Sequence, residues 1–170
     1  MAKLIKLEMI DLPQVYVVGK EIKVEMKDVM GGDNPIPAFW EKCIAEGVFE
    51  TLSKQSMYGA GSWVGFMTDW QEADGVFSYS CGMLLTEPVA PTAEYTVRTI
   101  EAGKVWVSWI QGKDIADVCG NAHCLTGAAL KEKEQDLDSI KWTMEVYSCP
   151  RFTTADANGE IILDYYVPVN

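Results

Sequence analysis

Lys141–Pro150 reads KWTMEVYSCP, an aromatic and β-branched stretch with one carboxylate, Glu145, at its centre. Side chains alternate across a strand. Thr143, Glu145 and Tyr147 therefore share one face, and Trp142, Met144 and Val146 the other. The apolar set is expected to pack beneath helices, and the Glu145 set to look away from them. A Glu on such a face commonly meets solvent, as on many half-covered antiparallel sheets. If the face instead floors a groove, a carboxylate beside aromatic rings is a receptor for an organic cation. The charge supplies long-range attraction, and the ring faces supply cation–π and stacking contact.

Other aromatic residues are candidates for the walls of that groove. Trp106 shares its strand face with Ser108, a mixed face like that of Glu145, and is preferred over Trp109 on the opposite face. Trp63 and Phe66 fall on opposite faces of one strand, so at most one of them lines a groove. Tyr79 shares its face with Phe77 and Cys81, which suits either core or groove. Trp40 and Trp142 read as core. The single histidine, His123, follows Cys119 at helical i,i+4 spacing. A catalytic zinc site usually takes three protein ligands and a structural one four. No third ligand has suitable spacing, so no metal is expected. The glycine-bearing loops MGGDNP and YGAGSW lack a phosphate-cradling pattern. With no G-x-S-x-G and no H-E-x-x-H either, no cofactor and no triad chemistry are predicted.

The elements that must position these residues follow from periodicity. Residues 1–24 alternate on either side of a break at Asp11-Leu12-Pro13, predicting two strand segments. Met30–Pro37 reads as a loop, and Ala38–Lys54 as a helix, with apolar residues at Phe39, Trp40, Cys43, Ile44, Val48 and Leu52. Residues 63–70 and 75–85 read as strands joined through the Asp-Gly turn of QEADG. Residues 94–112 are strand material broken at Ala102-Gly103, and Asp114–Gln135 reads as the second helix, with the charged run KEKEQDLD (131–138) as its solvated exit. Strands at 139–150 and 161–169 close the chain. Two β-α-β-β units in tandem result, with halves at about 1–88 and 92–170 of one domain spanning 1–170. The expected architecture is α+β: a mostly antiparallel sheet, two helices on one face, and a ligand groove between the halves.

Bulk properties narrow the function. Hydrophobic residues make up 48% and charged residues 23%, which places the chain among ordinary globular proteins. Net charge is −11, with no basic run, which argues against direct nucleic-acid binding. No run approaches the length of a membrane span. Five cysteines without framework spacing, and no signal peptide, predict a reduced protein of the cytoplasm.

The tandem order, together with PQVYVVGKEIKV near the start, IPAFWEKC opening the first helix, WTMEVYSCP late in the chain and ILDYYVPV at its end, resembles the GyrI-like effector-binding family. That module also occurs fused to AraC-type and MerR-type multidrug regulators. The resemblance runs from about Ile5 to Val169. It implies that Glu145, the Glu of the family's late E-x-Y-like strand motif, lies in a ligand cavity and contacts lipophilic cations, with Tyr147 beside it. The chain begins at the first strand and ends at the last, so it is expected to work as a stand-alone module, bacterial by its kin. Three roles follow: capture of a lipophilic cation; hydrolysis of electrophilic cyclopropane-type natural products, with Glu145 as general base and Tyr147 assisting; or binding a protein partner, as gyrase inhibitors of the family do. The first needs only the features visible in the sequence and is the reading adopted. A homodimer through exposed strand edges is compatible with it.

Overall fold

The computed structural model describes residues 1–71, 73–135 and 139–169. The acidic end of the charged run, 136–138, lies outside the described residues, as does Glu72 of the predicted turn. The element order is β1 (Lys3–Leu12), β2 (Val15–Glu25), α1 (Met26–Gly31), α2 (Ile36–Ala45), α3 (Val48–Leu52), β3 (Trp63–Gln71), β4 (Val76–Leu85), β5 (Thr96–Ile100), β6 (Gly103–Gly112), α4 (Ile115–Lys131), β7 (Trp142–Tyr147) and β8 (Ile161–Pro168). The class is α+β with antiparallel strand pairing, as the alternation predicts.

The chain divides into two compact units, and they do not follow chain order. One comprises Gln14–Glu101; the other joins Met1–Pro13 to the chain from Ala102 onward. Compared with a division at 88/92, the halves exchange their outer strands. β1 pairs with β6 rather than with β2, and β5 pairs with β2 rather than with β6. The breaks at Pro13 and at Ala102-Gly103 are where the chain passes from one unit to the other. Proline has no N–H for a ladder, which makes the first of these a natural place to leave a sheet.

In the 14–101 unit the strands run β3-β4-β2-β5. Phe39, Cys43, Val48, Phe49 and Leu52 from α2 and α3 pack on Val18, Tyr79, Cys81, Met83 and Leu85 of the sheet. The single helix predicted over Ala38–Lys54 is two helices, because Gly47 adopts the left-handed conformation (φ 69°) and turns the chain between them. The loop expected from Met30 is partly helical: α1 ends at Gly31, and Gly32 (φ 96°) supplies the left-handed stop. Gly19 and Gly82 face each other across β2 and β4. A Cβ on Gly82 would come within 2.7 Å of the Gly19 Cα, so this crossing admits no side chain.

In the other unit the order is β1-β6-β8-β7. α4 begins at an N-cap where the Asp114 side chain accepts from the Asp117 N–H at 2.8 Å. Val118, Ala122, Thr126 and Leu130, spaced by four, form its buried stripe.

Candidate functional site

The alternation that groups Thr143, Glu145 and Tyr147 on one face of β7 holds, but the assignment of that face reverses. The Glu145 face looks toward α4, not away from the helices. The Sγ of Cys119 on α4 lies 3.8 Å from the Tyr147 hydroxyl, and that hydroxyl donates to Glu145 Oε2 at 2.9 Å. The chemical character of the two faces misled the expectation. The opposite face, bearing Met144 and Val146, is also buried, so the apolar set did not mark the helix side. Asp164, the register partner of Val146, is buried on that face and held by Arg151, whose Nε donates at 2.8 Å. Arg151 also lies 4.5 Å from the centre of the Trp109 ring. The solvent-facing alternative for Glu145 is thereby excluded: the residue is 9% exposed.

Around this carboxylate the fold assembles residues from three elements. Tyr165 of β8 sits directly opposite Glu145 in the strand register, and Ser108 of β6 is opposite Tyr165. Tyr165 is buried, and its hydroxyl lies 3.1 Å from His123 Nδ1 on α4. Tyr147 meets the Phe152 ring edge-on, 4.8 Å between centroids. The chemistry is a negative charge inside an aromatic and thiol wall, with the Tyr147 hydroxyl fixing its orientation.

The electrostatics reflect that charge. Burial pushes the Cys119 thiol up, and the adjacent Glu145 carboxylate raises it further, against a lowering contact from Tyr147. Burial likewise pushes the Tyr165 phenol up; a hydrogen bond to Thr143 opposes this, and the Glu145 charge adds to it. Both groups are therefore held in their neutral, proton-bearing forms beside the carboxylate.

Of the six residues predicted to line the site, Glu145 and Tyr147 are in direct contact. Trp106 is on the same sheet face in the same unit, but its Nε1 donates to Gln135 Oε1 at 2.8 Å, beyond the end of α4. Trp63, Phe66 and Tyr79 belong to the 14–101 unit. Trp63 stacks on Phe49 at 3.8 Å and keeps 39% of its surface exposed. Phe66 faces the other side, opposite Ser80, and is buried. Tyr79 is core, its hydroxyl accepting from Trp40 Nε1 at 2.8 Å.

Sequence reasoning missed Tyr165 and Cys119 as neighbours of Glu145, and Phe152 as a neighbour of Tyr147. Alternation within 161–168 places Leu163, Tyr165 and Val167 on one face, a signal that could have found Tyr165. The i,i+4 pair Cys119 and His123 reads in the sequence as a surface histidine beside core cysteines, too few ligands for a metal. Both instead touch tyrosines, and among the described residues no group of three or more His, Cys, Asp or Glu is arranged to hold a metal.

The units echo each other in one detail. Each has a buried tyrosine on β4 or β8, met by a ring nitrogen from a helix: Trp40 for Tyr79, His123 for Tyr165. They differ in the residue opposite that tyrosine. It is Met67 in one unit and Glu145 in the other.

No family model and no curated protein matches the chain. Solved structures do. The structure of SAV2435 bound to tetraphenylphosphonium aligns with TM-score 0.73 at 18% identity, over 98% of this chain and 94% of that one. The likeness is one of fold. A putative transcription regulation protein of Staphylococcus aureus MU50 shares this fold at TM-score 0.64 and 18% identity, over 97% of this chain and 98% of its own. The EcmrR C-terminal domain does so at 0.59 and 13%, over 97% of each.

Proposed function

We propose that this chain captures lipophilic organic cations, with Glu145 as the counter-ion. The observation that carries the reading is a carboxylate 9% exposed on the helix side of a sheet, bonded by Tyr147 and directly opposite Tyr165. A charge drawn out of water attracts a counter-charge more strongly than an exposed one does. A cation that brings both charge and apolar surface suits this arrangement: the charge meets Glu145 and the apolar groups meet Tyr147, Tyr165 and Phe152. The tetraphenylphosphonium bound by SAV2435, a protein of the same fold, is a ligand of this class. The net charge of −11 favours accumulation of cations near the protein.

Titration with tetraphenylphosphonium and with a rhodamine-type dye, followed by tryptophan fluorescence, tests the proposal. Saturable binding by the wild type is expected, with Glu145→Gln weaker by about ten- to a hundredfold, or about 1.4–2.8 kcal/mol. A neutral compound of the same shape should bind poorly to both. Equal affinity of wild type and variant would remove Glu145 from the role. The hydrolytic reading uses the same Glu145–Tyr147 pair, and disappearance of an electrophilic ligand over repeated turnovers, rather than stoichiometric saturation, would favour it.

A further inference from the structure

β1 is the outermost strand of its unit's sheet, paired on one side by β6 and, among the described residues, open on the other. Its residues from Lys3 to Asp11 read KLIKLEMID. About Leu7 this order is complementary to itself: Lys6 mirrors Glu8, Ile5 mirrors Met9, Leu4 mirrors Ile10 and Lys3 mirrors Asp11. We propose that the open edge of β1 is a homodimer interface, in which two copies pair antiparallel about Leu7.

Antiparallel pairing of a strand with its own copy brings each residue opposite its mirror image. Lys6 of each copy then faces Glu8 of the other, giving two cross-strand ion pairs on one face. Opposite charges so placed stabilise a sheet, and like charges destabilise it. Both residues are available: Lys6 Nζ lies 2.8 Å from Glu8 Oε1 of its own strand, with the side chains 42% and 40% exposed, so a second copy extends the pair into a four-charge network. Met9, 42% exposed, is among the exposed large apolar residues of the chain, and the same pairing brings it toward Ile5, 43% exposed, which sits at the bulge. The open backbone N–H and C=O groups of the edge supply the ladder.

Charges and bulges on an edge usually keep sheets apart, and β1 has a bulge between Leu4 and Lys6. A protective edge works by presenting one sign of charge to a copy of itself, whereas here the signs are ordered to match. β5, the outer strand of the other unit, shows the contrast. Its only charged residue is Arg98, which would meet its own kind and is already bonded to Glu21 and Asp69. The bulge shortens the clean ladder on β1, so the dimer is weak and concentration-dependent, in the class of interfaces below about 1,200 Å².

Analytical ultracentrifugation of the full chain up to about 1 mM tests this, since weak pairs saturate in that range. The wild type should pass from monomer to dimer, less readily at high salt. Lys6→Glu alone and Glu8→Lys alone should each stay monomeric, with association at least about tenfold weaker. Mixing the two single variants in equal amounts should restore the dimer, because the altered position 6 of one copy then opposes the altered position 8 of the other with matching signs. Combining both changes in one chain should restore it as well. Circular dichroism checks that the variants are folded, and both positions are exposed. A wild type that remains monomeric throughout, single variants that dimerise like the wild type, or a mixture that fails to associate would each overturn the proposal.

Discussion

Tyr147 holds Glu145 from two positions along the same strand: its hydroxyl donates to Glu145 Oε2 at 2.9 Å. Residues i and i+2 of a strand point the same way, so this bond preorganises the carboxylate with little chain entropy to lose. It also divides the tyrosine into two contributions, a hydroxyl for the carboxylate and a ring for a ligand.

Tyr147→Phe and Tyr147→Ala separate those contributions. Losing a hydrogen bond to a charged, buried group should lower stability by about 1.5–3 kcal/mol in Tyr147→Phe, measured by urea denaturation. Cation affinity should change by less than about fivefold, since the ring remains. Tyr147→Ala should weaken binding more than about tenfold, the scale of a lost aromatic contact.

Thiol reactivity reports the charge of Glu145 independently of any ligand. Cys119 is pushed up by burial and then by the Glu145 carboxylate, while Cys124 and Cys149 are exposed. Alkylation followed by mass spectrometry should modify Cys124 and Cys149 well before Cys119. In Glu145→Gln one raising influence is gone, so the Cys119 thiolate forms at lower pH. Because the thiolate is the reactive form, alkylation of Cys119 at pH 9 should accelerate by up to about tenfold. An unchanged rate would place the charge of Glu145 away from the thiol.

The polar cluster of the 14–101 unit sets part of the acid stability. Burial raises Glu21, but hydrogen bonds from Arg98 and Ser80, with the charges of Arg98 and Lys23, outweigh it and hold the carboxyl below its usual range. A carboxyl lowered on folding contributes stability above its unfolded pKa, about 4.3, and loses it as pH falls through the folded value. Arg98→Met removes the largest of the lowering influences, so the folded-state pKa of Glu21 rises. The variant should be about 1–3 kcal/mol less stable at pH 7, with the deficit shrinking near pH 4 as Glu21 takes up a proton. Urea unfolding at the two pH values measures both.

Gly82→Ala tests the close crossing of β2 and β4. A Cβ there would overlap the backbone of Val18 and Gly19, which cannot move aside as a flexible side chain does. Overpacking of this kind costs about 1–3 kcal/mol, and the melting temperature should fall accordingly. Gly120→Ala, on α4 with open space at its Cβ, should be neutral or stabilising by up to about 1 kcal/mol.

Local pattern alone determined the alternation of 141–147 and 161–168, the break at Pro13, the second helix and the singling out of Glu145. Each is written within a few residues of chain, where period, turn chemistry and capping act. Tertiary structure decided what depends on residues far apart. It placed α4 over the Glu145 face, because both faces of β7 are buried and periodicity carries no label for which one meets a helix. It brought Tyr165, 20 positions beyond Glu145, directly opposite it through the β7–β8 register. It assigned β1 to the unit built from the end of the chain, because strand partners are chosen by the ladder they complete, not by their nearness in sequence.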